Sequence, residues 1–286
     1  MVTIGFATSR RHAELVPDDQ LAVERVRALG VDVRPIVWTD GVSASDGCDV
    51  VVIRSCWDYH LMPDRFHDWT RAVEVRGARV WNPPAMIAWN TDKRYLQALE
   101  AAGVPVPETV WLDRGAPCDL ARLLNVRGWT RAVVKPAISA TAWRTFVTQP
   151  ATAQADQTAV DEVLTDAGAL VQQFVDEIET DGEWSLIFFD GTFSHAVIKR
   201  PTAGDFRVQE DFGGSSVART PPRDVLEAAS NALRQVPGAP LYARVDGVVT
   251  PGGFLLMEME LIEPSLFLAS DPGAVDRFVS ALLRRL

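Results

Sequence analysis

FLLMEMELIEP, Phe254–Pro264, follows YARVDGV, Tyr242–Val248, across the turn Pro251-Gly252-Gly253. Residues two apart on a strand project from one face, so Glu258 and Glu260 point together, and a hairpin brings Asp246 on the neighbouring strand beside them. Three carboxylates in an apolar sheet repel one another unless raised pKa values or bound cations relieve them. Oxygen-only ligands of this kind suit Mg²⁺, which bridges carboxylates to nucleotide phosphates. A Glu-x-Glu pair alone is usually a solvated strand face. Here Phe254, Leu255, Leu256, Leu261 and Ile262 flank the acids and mark a central strand.

Outward from this hairpin, Glu183–Phe189 and Thr192–Lys199 form another, joined by Asp190-Gly191. Asp224–Gln235 and Ala274–Leu283 have the periodicity of helices packed on the resulting sheet. Upstream, Val106–Leu112, Ala132–Pro136 and Ala169–Val175 read as strands separated by helical patterns at Asp119–Leu124 and Ala159–Leu164. The first part of the chain alternates instead. Val2–Thr8, Val31–Trp38, Asp49–Ile53 and Ala78–Trp81 are strands, with helices capped by Asp18 or Asp19 and at Asp64–Gly77, a doubly wound α/β pattern. Pro83-Pro84 stops the last strand, and Thr91–Ala102 reads as one helix with Lys93 near its start. The expected organisation is an N-terminal α/β unit (1–88), a central unit (89–170) and a C-terminal α+β unit (171–286).

Three further stretches carry chemistry. Lys135 ends an apolar strand and precedes the small-residue loop PAISATA, whose backbone amides suit an anion; a GxxxxGK[ST] phosphate loop is absent. Lone strand-end lysines are commonly solvated edge residues. In VIKRPTAGDFRVQEDFGG, Val197–Gly214, the cations Lys199, Arg200 and Arg207 lie among glycines. They suit phosphate or carboxylate, or equally surface pairs with Asp205, Glu210 and Asp211. RSCWDY, Arg54–Tyr59, follows a strand of the α/β unit, where ligands gather, so Arg54, Ser55 and Asp58 are candidate substrate contacts. Trp57 reads as packing, Cys56 lacks an activating histidine, and the four histidines read as structural, with His195 the least easily dismissed.

The 286-residue chain is 47% apolar with a net charge of −10 and scattered cations, which argues against nucleic-acid binding. Cys48, Cys56 and Cys118 form neither a disulfide framework nor a zinc spacing. No signal-like start and no long apolar stretch occurs, so a cytoplasmic enzyme with no membrane partner is expected.

Lys93, Lys135, VQQFV (Val171–Val175), Glu183, KRP…GDFRVQ…GG, Asp246 and Glu258-Met-Glu260, taken in order, resemble the ATP-grasp superfamily over the whole chain. The KRPTAGDFRVQEDFGG stretch looks like that of the branch that adds glutamate to ribosomal protein. RSCWDY with MELIEPSLF is similar to the narrower group of O-ureido-D-serine cyclo-ligases. The resemblance implies an ATP-grasp fold in which two α+β subdomains sandwich ATP beside an N-terminal α/β subdomain. It implies that Lys93, Lys135 and Ser139 hold phosphates, that Gln172, Gln173, Phe174 and Val175 form the hinge beside adenine, and that Glu179 or Glu183 lies near the ribose. Asp246, Glu258 and Glu260 would bind Mg²⁺, although many members have Glu-x-Asn where this chain has Glu-x-Glu. Arg207, with Lys199 and Arg200, would face the transferring phosphoryl group, and Arg54, Ser55, Asp58, Glu263 and Ser265 the substrate.

The expected activity is therefore formation of a carbon–nitrogen bond through an acyl phosphate. A small carboxylic or amino acid is the partner, Ala137–Thr145 is the lid, and a homodimer is the assembly considered. Cyclisation to D-cycloserine is the specific expectation. Ligation of two amino acids, kinase chemistry and nucleotide binding without catalysis are its rivals.

Overall fold

The computed structural model describes residues 2–202 and 213–286. Its first sheet is wholly parallel: β1 (Thr3–Thr8), β2 (Asp32–Val37), β3 (Val50–Ile53) and β4 (Arg79–Trp81) lie in the order β2-β1-β3-β4. β3 is buried along its whole length, as a parallel strand covered on both faces should be. The covering helices are α1 (Pro17–Ala28) and α2 (Pro63–Val75). Val16, not an aspartate, is the N-cap of α1; Pro17 occupies the first turn, and Asp18 and Asp19 follow it there.

The expected single helix at 91–102 is corrected to two. Pro84 does not merely stop a strand but opens α3 (Pro84–Thr91), because proline is tolerated where a helix's first N–H has no partner. The chain then turns at 92–94 before α4 (Tyr95–Ala101), which leaves Lys93 in the junction. Its backbone N–H donates to Ala137 O at 2.8 Å.

The second sheet is antiparallel: β5 (Thr109–Leu112), β6 (Ala132–Pro136), β7 (Phe146–Thr148) and β8 (Ala169–Gln173), ordered β5-β8-β6-β7. One face packs on α5 (Leu120–Arg127) and α6 (Ala153–Asp166), where Leu124, Val134, Val160 and Val171 are buried together. After α7 (Glu177–Thr180) comes the third sheet, also antiparallel: β9 (Glu183–Phe189), β10 (Thr192–Arg200), β11 (Ser215–Ala218), β12 (Tyr242–Thr250) and β13 (Gly253–Glu260). Their order is β11-β10-β9-β12-β13.

α8 (Arg223–Leu233) covers β12 and β13, whereas α9 (Ala274–Leu283) packs against β9, β10 and α1. α9 therefore joins the first and third sheets: Phe278 meets Phe6 of β1 at 6.4 Å and Phe189 of β9 at 5.3 Å between ring centroids. A register shift follows Asp246, and the next residue must be glycine. A Cβ on Gly247 would stand 2.6 Å from Leu255 O and collide with the Phe254 ring. Among the described residues no helix is long and apolar enough to cross a membrane, and the three cysteines are free.

Candidate active site

The strand register sets one charged cluster. Asp246 on β12 lies opposite Glu258 on β13 and Ser185 on β9, and Arg244 lies opposite Glu260. Asp246 accepts from Ser185 Oγ at 2.6 Å, Arg244 Nε at 3.0 Å and Lys199 Nζ at 3.2 Å. Burial opposes its ionisation, but Arg244, Lys199 and Ser185 outweigh burial and hold its pKa down to about 2. Lys199 also pairs with Glu183 at 2.6 Å. Glu258 pairs with Lys93 at 2.8 Å, and Lys93 with Lys135 keeps its carboxyl below the ordinary value despite burial. Glu260 pairs with Arg244. Burial, then the neighbouring Asp246 and Glu258, push Glu260 up to about 7 against the pull of Arg244.

The three acids expected to converge lie on adjoining strands, and each is paired with a basic side chain. Among the described residues no three His, Cys, Asp or Glu side chains are arranged to hold a metal by themselves. Each acid faces a basic group instead, so these oxygens fit a divalent ion only alongside further oxygen ligands such as phosphate.

A cavity of about 910 Å³ lies between the second and third sheets and reaches the first. On one side it is lined by Val133 and Lys135 of β6, and by Gln172, Gln173, Phe174 and Val175 at the end of β8. Lys135 makes no hydrogen bond or ion pair among the described residues, and desolvation lowers its pKa. Gln172 donates to Thr109 Oγ1 at 3.1 Å while its Oε1 is buried without a partner. Ser139 lines the cavity and its carbonyl accepts from Lys93 Nζ at 2.9 Å. The loop after β6 also contributes Ala140, Thr141, Ala142 and Thr145. Glu183 lines the cavity but Glu179 does not: Arg131 holds its carboxylate at 2.6 Å outside the lining.

Arg54, Ser55 and Asp58 are not part of the lining, contrary to their placement after β3. Arg54 lies 2.8 Å from Asp19, with both side chains only 2% exposed, and Ser55 donates to the same carboxylate at 2.9 Å. Asp58 accepts from Trp38 Nε1 at 2.7 Å. These groups support the segment after β13: Arg54 donates to Pro264 O at 2.9 Å, Trp57 to Glu263 O at 3.0 Å and Arg244 to Ser265 O at 3.1 Å. His195 Nε2 stands 2.9 Å from Leu266 O, which gives it a structural role. Glu263 and Ser265 do line the cavity, and so does Trp57, which the sequence suggested was packing alone. Arg200 is exposed and donates to Asp181 O at 3.4 Å, away from the lining; Arg207 lies outside the described residues. Arg244 is the main omission from the sequence reading. Arg-x-Asp on a buried strand puts opposite charges on one face, which was the available signal.

Comparison with solved structures places this architecture. It matches a D-alanine–D-alanine ligase from Bacillus anthracis complexed with ATP at TM-score 0.69, with 17% identity over 99% of this chain and 95% of the other. A RimK domain ATP-grasp protein from Sphaerobacter thermophilus matches at TM-score 0.71, with 16% identity over 98% of each. These likenesses, with the charged cavity between the two antiparallel sheets, show an ATP-grasp fold. Closer similarity is to the cycloserine biosynthesis protein DcsG of Streptomyces lavendulae, 32% identical over 92% of both chains. The crystal structure of D-cycloserine synthetase DcsG superposes at TM-score 0.89, with 28% identity over 99% of both. A family model described as the N-terminal domain of D-cycloserine synthetase DcsG matches residues 4–82. The chain belongs to the DcsG family.

Proposed function

We propose that this chain uses ATP to phosphorylate the carboxylate of O-ureido-D-serine, that the oxygen-bonded ureido nitrogen attacks the acyl carbon and expels orthophosphate to close the ring, and that hydrolytic loss of the N-carbamoyl group as carbon dioxide and ammonia leaves D-cycloserine. The observation that carries this reading is the cavity that combines Lys93, Lys135, Lys199 and Arg244 with Asp246, Glu258 and Glu260 in a chain of the DcsG family.

A carboxylate is a poor electrophile and a γ-phosphate repels it, so a site that joins them must neutralise both and hold them in line. Lys135, which has no hydrogen-bond or ion-pair partner among the described residues, is free to take phosphate oxygens, and Lys93 can join it by exchanging Glu258 for phosphate. Gln172–Val175 line the wall for the adenine, with Glu183 nearby. Asp246, Glu258 and Glu260 would hold Mg²⁺ together with phosphate oxygens; when bound, the ion would supply charge neutralisation and in-line alignment. Arg244, already directed at Ser265 O, is placed to stabilise negative charge beside the segment that faces the substrate. Arg207 keeps its sequence-based assignment to the transferring phosphoryl group. The acyl phosphate must meet nitrogen rather than water, and the loop 137–145 along the cavity is the part of the chain suited to exclude solvent.

Incubation with Mg-ATP and O-ureido-D-serine tests the reading. D-cycloserine, ADP and orthophosphate should appear in equal amounts. ATP consumption that requires a second amino acid and yields a linear amide would replace cyclisation with intermolecular ligation.

A further inference from the structure

The charges along the cavity are unevenly satisfied. Glu183 and Asp246 share Lys199, Glu258 has Lys93 and Glu260 has Arg244. The Lys135 ammonium has no hydrogen-bond or ion-pair partner among the described residues. The opposite deficit occurs where the segment after β13 meets the first sheet.

Glu263 is 8% exposed and lines the cavity, yet no other described side chain gives it a hydrogen bond or ion pair. Lys93, whose charge reaches it, is already bound to Glu258. Burial, with Glu260 and Glu258, pushes its carboxyl well above the ordinary range against the pull of Lys93 and of its own backbone N–H, as for an acid with no cation bound to it. Asp18 lines the same cavity. Its Oδ1 accepts from Ala269 N–H at 2.9 Å, while its Oδ2 is buried without a partner. Trp57 connects these parts, because its indole N–H fixes Glu263 O while the residue itself lines the cavity.

We propose that Glu263, beside Trp57, whose indole N–H donates to its backbone carbonyl, receives the α-ammonium of the substrate and so restricts the enzyme to acids that carry a free amine beside the activated carboxylate. This rests on the ligase reading, which places Arg244 beside the segment that faces the substrate, the segment to which Glu263 belongs. An ammonium supplies the missing charge and donates to carboxylate oxygens, and aromatic neighbours tolerate it. Magnesium would need an oxygen cage that the described residues do not form here. A ligand without the amine leaves this carboxyl with no cation to ionise against and forgoes the charge-assisted bond that the amine makes, so it should bind more weakly.

Calorimetry of the full-length protein with saturating ADP and magnesium provides the test, with O-ureido-D-serine and its des-amino counterpart 3-(ureidooxy)propanoate as probes. The wild type should bind the amino acid at least about tenfold more tightly. Glu263→Gln should bring the two within about twofold by weakening the amino acid alone, while retained ADP binding reports a folded variant. Equal weakening of both ligands, or discrimination that survives the substitution, overturns the assignment. Wild-type discrimination below about twofold overturns it without any variant. Phosphate release measured in parallel separates the two claims: its absence with both acids, while amine discrimination persists, removes the ligase reading and supports the ammonium site.

Discussion

Arg54 and Asp19 form an ion pair at 2.8 Å with both side chains only 2% exposed, and Arg54 extends from it to Pro264 O at 2.9 Å. A group so enclosed supports the segment after β13 rather than lining the cavity. Removing one partner of a buried pair leaves an uncompensated charge, so Arg54→Ala should lower stability by about 3–5 kcal/mol. Arg54→Met combined with Asp19→Leu should recover most of it. Urea denaturation checks both; a stable Arg54→Ala variant with only a raised KM would return Arg54 to the substrate.

Lys135 calls for the opposite outcome. Its ammonium is desolvated and has no hydrogen-bond or ion-pair partner among the described residues, so the empty protein gains little from it beyond its field on Glu258. Lys135→Met should leave the unfolding midpoint unchanged or slightly higher, yet weaken ATP binding by about tenfold or more. Isothermal calorimetry beside a thermal melt separates the two effects; unchanged ATP affinity would make Lys135 an ordinary edge lysine.

The pH dependence of the metal-free protein should report Glu260. Its folded pKa of about 7 lies above the ordinary 4.5, so between those values the folded state holds a proton that the unfolded state has released. Its contribution is therefore fully present below about pH 4.5 and is lost as pH rises through about 7. Between pH 5.5 and 8 the melting temperature of the wild type should fall relative to that of Glu260→Gln by about 2 °C or more. Parallel pH profiles for the two proteins would contradict the assigned environment.

The hairpins around Asp190-Gly191 and Pro251-Gly252 were legible because turn residues between apolar runs act locally, and the strand period then put Glu258 and Glu260 on one face. The break at 92–94 was not, since proline both ends strands and opens helices, and only the contact of Lys93 with Ala137 shows which applies here. Arg54 was misread for a related reason: the end of a parallel strand marks a ligand's neighbourhood, but Asp19, 35 residues away, takes the guanidinium. Arg244 was overlooked because carboxylates were sought as metal ligands, whereas in the folded chain a cation supplies their counter-charge. The unpaired state of Glu263 depends on every neighbour at once, and no spacing encodes it.

The central claim, activation of a carboxylate at the γ-phosphate, is tested most directly with substrate carrying ¹⁸O in its carboxylate. Attack on the γ-phosphorus transfers one carboxylate oxygen to the phosphate that leaves when nitrogen closes on the carbonyl carbon. The account predicts ADP and orthophosphate containing one ¹⁸O per product formed. AMP with pyrophosphate, or unlabelled orthophosphate under turnover, would contradict it.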